Sequence, residues 1–319
     1  MASRVRTKNA IFIEINQRFL PYLEVFLKGL RRVHRDYPDL FIHHTDLTEE
    51  QTRRLSRYEG LRTVQLEDAD FAAGPAMATH RPKHADPRIS YARFLIWTQR
   101  LKDYENVLHL DTDLLILGRF DELLDGVRFR IFAETYQSSD ALFYDARDPM
   151  LTRLLEEDGI HLPDKVGNCG VFVVPKKDRT PENFDLLNTL LSRYGPFIKW
   201  SDQSIINLWM VMKGYEVEEG DRFNFQHRLV TRPGRVNGLR QARIFHFNGV
   251  DLTYRLFLQR CAGVLSRLPA GWELYRLVYR ATDGLLRVWR SWKVWLRSLA
   301  AADWTRKIRA PEETRAEPL

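Results

Sequence analysis

"VLHLDTDLLILG" (residues 107–118) sets Asp111 and Asp113 one residue apart inside an apolar run. Val107, Leu108 and Leu110 precede them, and four apolar residues, 114–117, follow. Such a run reads as a buried strand. Carboxylates are rarely buried without compensation, because stripping their water costs several kcal/mol or more. Side chains at i and i+2 of an extended chain point to the same side, so both carboxylates could lean on one cation. Oxygen donors suit Mg²⁺ or Mn²⁺, and such an ion keeps open positions for phosphate oxygens. In parallel sheets ligands bind beyond the carboxyl ends of the strands, which is where this pair is expected.

Working outward, "AIFIEI" (10–15), "LFIHHT" (40–45) and "RTVQL" (62–66) read as strands. Between them lie two helical stretches. One carries Leu23, Phe26, Leu27, Leu30 and Val33 at 3–4 spacing, and the other opens with Thr48 as N-cap and Glu49 and Glu50 in its first turn. Strand–helix–strand–helix–strand indicates an α/β layer with a parallel sheet. Residues 67–89, rich in Ala, Pro, His and Asp, are too long for a plain connector and are expected to cover a site. "SYARFLIWTQRLK" (90–102) reads as a helix capped by Ser90, and "FRIFAET" (129–135) as a strand. Further helices are expected after Asp148, after Thr180-Pro181 and, capped by Ser201, over 201–214. "GNCGVFVVPK" (167–176) and "ARIFHFNG" (242–249) are the remaining strands.

The chain has 319 residues, a size for one large domain with or without an appendage. Cys169 and Cys261 are the only cysteines, which excludes a disulfide framework or a cysteine-rich zinc site and suggests a reducing compartment. The opening "MASRVRTKNAIFIEIN" has no apolar h-region, so no signal peptide is expected, and no run of eighteen apolar residues suggests a membrane span. The net charge of +7 is unevenly placed: residues 1–252 hold 36 basic and 36 acidic residues, and residues 253–319 hold 13 and 6. A neutral body (1–252) with a basic helical extension (253–319) suggests two jobs.

"YARFLIWTQRLKDYENVLHLDTDLLILGRFDELL" (91–124) closely resembles the core signature of the nucleotide-sugar glycosyltransferases of the family 8 type, related to glycogenin and to bacterial lipooligosaccharide galactosyltransferases. Three further blocks match in order: "GNCGVFVVPK", "WSDQSIINLW" and "IFHFNGV". The resemblance covers residues 10–250 and implies a GT-A fold, a Rossmann-like and mostly parallel sheet flanked by helices. It also implies a divalent metal, Mn²⁺ or Mg²⁺, a nucleoside-diphosphate sugar donor, and glycosyl transfer to a glycan or lipid-linked acceptor. Carried over, it makes Asp111, Asp113 and His246 metal ligands. It places Asn16, Gln17, Arg93, Asp111, Thr112, Asp113 and Asn168 around the donor, and Asp202 and Gln203 at the reacting carbon. Taken singly, several of these residues have other readings: His246 as a core or capping histidine, Arg93 as a surface cation, Asn168 as a turn residue, Asp202 as a helix-dipole partner. The chain departs from the pattern at Leu252, where the family places a lysine on the diphosphate; Lys83, Arg88 and Arg243 are candidate replacements.

Along 274–299 apolar residues including Trp289, Trp292 and Trp295 alternate with Arg276, Arg280, Arg287, Arg290, Lys293 and Arg297. That pattern fits an amphipathic helix on an anionic membrane surface, or one packing on the body or on a second subunit. The last ten residues are expected to be disordered. Nucleic acid is not an expected partner, since the body is neutral and carries no binding motif. The expected location is cytoplasmic, peripheral at the inner face of the membrane. The rival readings are a noncatalytic nucleotide-sugar or glycan-binding module on the same fold, and a nucleotidyltransferase, which the absence of a Gly-rich phosphate loop disfavours.

Overall fold

The computed structural model describes residues 8–34, 36–71, 87–134, 137–230, 241–248, 250, 252–268, 271–282 and 284. Lys83, most of the expected 67–89 loop, most of the Arg/Trp-rich stretch and the expected disordered end lie outside the described residues.

The first half folds as β1 (Asn9–Ile15), α1 (Leu20–Val33), β2 (Asp39–His44), α2 (Glu49–Leu55) and β3 (Leu61–Gln65). Helix α2 starts in a capping box: Thr48 accepts from the Gln51 N–H, and the Gln51 side chain accepts from the Thr48 N–H. Then come α3 (Pro87–Tyr91), two 3₁₀ turns (Ala92–Trp97 and Gln99–Leu101), β4 (Asn106–Leu110) and β5 (Leu114–Ile116). The expected helix over 90–102 is therefore one α-turn followed by 3₁₀ structure. Ala92, Phe94, Leu95, Ile96 and Trp97 are all buried, so no polar face defines an amphipathic α-helix there.

The second half adds β6 (Arg130–Ala133), α4 (Pro149–Glu157), β7 (Gly167–Pro175), α5 (Pro181–Tyr194) and α6 (Ser201–Met212), then β8 (Phe225–Gln226), β9 (Ile244–His246) and α7 (Leu252–Leu265). Asp148 and Thr180 cap α4 and α5 as expected. Ser201 does not cap α6. It is the first helical residue, after Trp200, and its φ of +42° is left-handed. That conformation costs a non-glycine residue about 1–2 kcal/mol, and it sits directly before Asp202.

Six strands form the main sheet in the order β3-β2-β1-β4-β7-β6. The first four are mutually parallel, and β7 runs antiparallel to both β4 and β6. Alternation splits the core across this sheet: Phe12, Val107, Phe172 and Val174 face one side with Trp97 and Trp209. Ile11, Ile13, Leu108, Leu110, Val171 and Val173 face the other, against Leu23, Phe26, Leu27 and Leu30 of α1. Each such fully buried side chain contributes about 1.5–3 kcal/mol of hydrophobic stabilisation. The chain proceeds outward from β1 to β2 and β3, then returns to place β4 on the other flank of β1. The carboxyl ends of β1 and β4 thus flank the point where strand order reverses, the position at which open α/β sheets bind ligands. A second, three-stranded sheet, β5-β9-β8, lies beside it in sequence, entered directly from β4 through the turn at 111–113.

The chain divides into two compact units, residues 1–264 and 265–319. Helix α7 begins where the sequence suggested the body ends, yet all of it but Leu265 belongs to the first unit, where its Arg255 and Gln259 bond to the turn after β4. In the second unit residues 271–282 are helical, and Trp272 packs edge-on against Tyr275. No described helix is long and apolar enough to cross a membrane.

Candidate active site

Strand β4 ends at Leu110, and the chain turns through Thr112 and Asp113 before β5. The two aspartates converge because of this turn, and the extended i, i+2 geometry expected from the sequence is not what aligns them. The register of the second sheet completes the arrangement: Leu114 of β5 pairs with His246 of β9, and the Phe247 N–H donates to the Asp113 carbonyl at 3.1 Å. His246 Nε2 comes within 3.2 Å of Asp113 Oδ1 and 3.6 Å of Asp111 Oδ2. One ligand atom from each of Asp111, Asp113 and His246 lies within 4.8 Å of the others, close enough to share a cation.

The outer oxygens of both carboxylates are held by arginines. Arg93 Nη2 donates to Asp111 Oδ1 at 2.6 Å, and Arg255 Nη1 donates to Asp113 Oδ2 at 2.6 Å. The inner oxygens are those that face His246. Helix α7 supports the turn further: Gln259, fully buried and one turn beyond Arg255, donates to the carbonyls of Thr112 and Leu114 at 3.0 and 2.7 Å. Arg255 and Gln259, four apart on one helix face, thus hold Asp113 by its carboxylate and by the carbonyls on either side of it.

A hydrogen-bond relay fixes the histidine tautomer. Glu134 Oε2 accepts from the Asn168 amide N–H at 2.6 Å. Asn168 Oδ1 then accepts from the Gly170 N–H and from Asn224 Nδ2, each at 3.0 Å. Asn224 Oδ1 is left facing His246 Nδ1 at 2.9 Å, so Nδ1 donates there, and Nε2, turned to the aspartates, is the nitrogen that would give up its proton to bind a cation. This is the outer-shell pattern that orients a metal-binding imidazole. The Gly-Asn-Cys-Gly start of β7 gains a steric reason here: a Cβ on Gly170 would stand 2.2 Å from His246 Cε1.

Arg93 organises the other wall. Its Nε donates to Glu14 at 2.7 Å, Nη1 to Asp202 at 2.5 Å and Nη2 to Asp111. It is the half-buried hub of three carboxylates, at the carboxyl ends of β1 and β4 and at the start of α6. Glu14 also pairs with His109 Nε2 at 2.8 Å. Burial works to raise the Glu14 carboxyl, but Arg93 and His109 override it and hold it at about 2. For Asp202 burial prevails over Arg93, with Glu14 and Asp111 adding to it, and its carboxyl is pushed up to about 6. Burial also opposes a charge on His246, yet Asp113 and Asp111 raise its pKa above the ordinary value. Arg255 and His246 likewise outweigh burial at Asp113 and lower its pKa.

These groups line a cleft of about 390 Å³ whose walls include Arg93, Asp111, Asp113, Glu134, Asn168, Asp202, Gln203, His246, Asn248 and Arg255. Four carboxylates face two guanidiniums there, an excess of negative charge that suits a divalent cation and would repel a bare diphosphate. An adjoining cavity of about 130 Å³ runs past Glu14, Phe19, Thr112 and Arg255. Of the residues singled out in the sequence, Arg93, Asp111, Asp113, Asn168, Asp202, Gln203 and His246 meet in the main cleft and Thr112 in the smaller one. Asn16 and Gln17 line neither cavity; the Gln17 N–H donates to Asp46 at 2.5 Å. Arg88 pairs with Asp68, and Arg243 lies at the far end of the β5–β9 pair, with its side chain over Gly118. Glu14, Glu134, Asn224, Asn248, Arg255 and Gln259 were not singled out. Glu14 was recoverable, being a carboxylate inside the apolar strand "AIFIEI".

Among solved structures, the chain is similar to the galactosyltransferase LgtC in complex with donor and acceptor sugar analogs, with a TM-score of 0.56 at 18% identity over 83% of this chain and 99% of that one. It is similar also to the bifunctional glycosyltransferase WbbM, with a TM-score of 0.57 at 13% identity over 86% of this chain. It spans about half of that longer protein, 52% of its length. A third likeness is to the glycosyltransferase GlyE of Streptococcus pneumoniae TIGR4, with a TM-score of 0.50 at 16% identity over 87% of this chain and 64% of that one. No curated protein matches the chain. These likenesses bear out the GT-A fold, and the family model for glycosyl transferase family 8 matches residues 10–251, so that the chain belongs to this family of glycosyltransferases.

Proposed function

We propose that the protein transfers a sugar from a nucleoside-diphosphate sugar, a UDP-sugar in the first instance, to a hydroxyl of a glycan or lipid-linked glycan precursor, with retention at the anomeric carbon. The observation that carries this reading is the convergence of Asp111, Asp113 and His246 in one acidic cleft with both outer oxygens already held. These three residues would hold Mn²⁺ or Mg²⁺; the nitrogen donor favours Mn²⁺. When bound, the ion neutralises the departing diphosphate.

The chain's own residues do the rest. Arg93 and Asn168 bind hydroxyls of the donor sugar, Arg93 while keeping Asp111 oriented. Thr112 borders the nucleotide in the smaller cavity; Asn16 and Gln17 remain proposed contacts to base and ribose from the end of β1. Glycosyl transfer develops positive charge at the sugar ring, and Asp202 and the Gln203 amide oxygen stabilise it electrostatically. The left-handed Ser201 turns the chain into α6 directly before Asp202, whose carboxylate is held by Arg93. The relay of Glu134, Asn168 and Asn224 behind His246 keeps its ring turned toward the two aspartates.

A donor panel tests the reading. Purified protein with Mn²⁺ is expected to release nucleoside diphosphate from one nucleotide sugar, and chelation is expected to stop it. Binding without release would indicate a noncatalytic module, and neither binding nor release would sink the proposal. Peripheral attachment to the cytoplasmic membrane face is also proposed: in the second unit Leu274 and Leu277 are exposed beside Arg276 and Arg280. A chain ending at Val264 keeps Arg255 and Gln259 and should lose binding to anionic vesicles; unchanged binding would retire this attachment.

A further inference from the structure

Two cations line both cavities, Arg93 and Arg255, and they are placed differently. Arg93 is enclosed by three carboxylates, so its charge is more than matched. Arg255 faces one carboxylate, Asp113; its Nε and Nη2 donate to the neutral carbonyl of Val250 at 3.0 and 2.6 Å. These bonds use three of the five guanidinium N–H groups and leave one on each Nη. The same bonds lock the fork against the carbonyl of Val250, two residues before α7 begins. Its side chain is 17% exposed, so the charge is largely removed from bulk water.

The consequence concerns what happens once Asp113 spends its charge on a cation. Arg255 then loses its neutralising partner while still lining the cleft, and a partly buried guanidinium without a counter-charge is costly. An anion with several oxygens, arriving beside the ion, satisfies the two remaining N–H groups in the bidentate geometry that guanidinium offers phosphate. Arg255 stands one helical turn beyond Leu252, the position where the family pattern has a lysine and this chain has none. Of the alternatives raised by the sequence, Arg88 and Arg243 line neither cavity.

We propose that Arg255 binds the diphosphate of the nucleotide-sugar donor, which makes helix α7 part of the donor site. The proposal rests on the nucleotide-sugar reading above. It differs from a role in which Arg255 only positions Asp113.

The test uses the full chain with two probes, Mn²⁺ alone, followed by electron paramagnetic resonance, and UDP in saturating Mn²⁺, followed by calorimetry. Arg255→Gln is expected to weaken UDP by roughly 10- to 100-fold, the scale of lost hydrogen bonds to a charged group. Mn²⁺ alone should bind Arg255→Gln as tightly as the wild type or more tightly, because a competing cation has been removed from Asp113. Arg255→Lys, which keeps the charge and loses the fork, should lie between the two for UDP. Equal UDP affinity in wild type and Arg255→Gln overturns the proposal. So does a loss of Mn²⁺ affinity matching the loss of UDP affinity, which would make Arg255 a positioning residue for Asp113. If Arg255→Gln does not fold, as judged by thermal unfolding, Arg255→Lys decides on the same two measurements. A wild-type protein that binds Mn²⁺ but no nucleoside diphosphate refutes the nucleotide-sugar reading itself, which separates the two failures.

Discussion

Replacing Gly170 with Ala tests whether His246 is held as the geometry says. The added Cβ would stand 2.2 Å from His246 Cε1, 2.8 Å from its Nδ1 and 2.9 Å from Asn168 Oδ1. Ordinary van der Waals contact begins near 3.4 Å, so the imidazole must retreat by about 1.2 Å. It cannot do so without breaking the 2.9 Å contact to Asn224, and it is fully buried against β7 and β9. Overpacking of this kind costs about 1–3 kcal/mol. At 2 kcal/mol, in a domain of this size, the melting temperature falls by roughly 4–8 °C. Displacing the ring also disrupts the ligand set, and comparable losses of outer-shell support lower metal affinity about 10- to 100-fold. The assay is thermal unfolding at increasing Mn²⁺, with Gly118→Ala as control. At Gly118 the new Cβ would approach Arg243 Cδ at 2.5 Å, but that side chain is exposed and can swing aside. Gly170→Ala is therefore expected to lose both stability and its Mn²⁺-dependent shift, while Gly118→Ala keeps them. A Gly170→Ala protein with the wild-type melting temperature and Mn²⁺ response would refute the placement of His246.

Asp113→Asn should abolish activity and, without metal, also destabilise the fold by about 3 kcal/mol, read by urea unfolding, because it leaves Arg255 partly buried and unmatched. Glu14 is held at about 2 against an ordinary 4.5, so its contribution of roughly 3 kcal/mol is complete above pH 4.5 and is lost as pH falls toward 2. Glu14→Gln should accordingly flatten the acid limb of stability between those values, and an unchanged limb would contradict the pairing. Asp202, pushed up to about 6, is protonated below that pH, so kcat/KM should fall as pH drops through about 6. Asp202→Asn should remove that limb along with most of the rate. Arg93→Lys, which supplies one point charge where three carboxylates are held by a fork, should lose both activity and several degrees of thermal stability.

What could be read from the sequence depended on whether a signal was local. Thr48 with Gln51, Asp148, and Thr180 with Pro181 cap their helices through bonds that span three residues or fewer, and the structure places them where the sequence indicated. The sheet was legible through the apolar runs of β1, β4 and β7, which are buried on both faces: Phe12 packs on one side and Ile11 and Ile13 on the other. The 3₁₀ stretch after Tyr91 was not, since uniform burial erases the period by which a helix is recognised. In the site, the aspartates announced themselves by being charges in an apolar run. Their compensation did not: the sequence pointed to a metal alone, whereas Arg93 and Arg255 already pair with them from 18 and 142 positions away. Arg255 was obscured because the basic excess after residue 252 made the whole C-terminal region read as one surface-binding tail. Its role depends on a helix docking that no local pattern encodes.

The three bonds of Arg93 have a consequence for how the molecule acquires activity. They join positions separated by 79, 18 and 109 residues. Each link must overcome its own loop-closure entropy, and contacts this far apart in sequence assemble slowly. The cleft cannot take shape in a chain whose first strand has paired but whose helix α6 has yet to dock on the sheet. On the proposed reading, recovery of nucleotide binding during refolding should therefore come no earlier than the docking of α6.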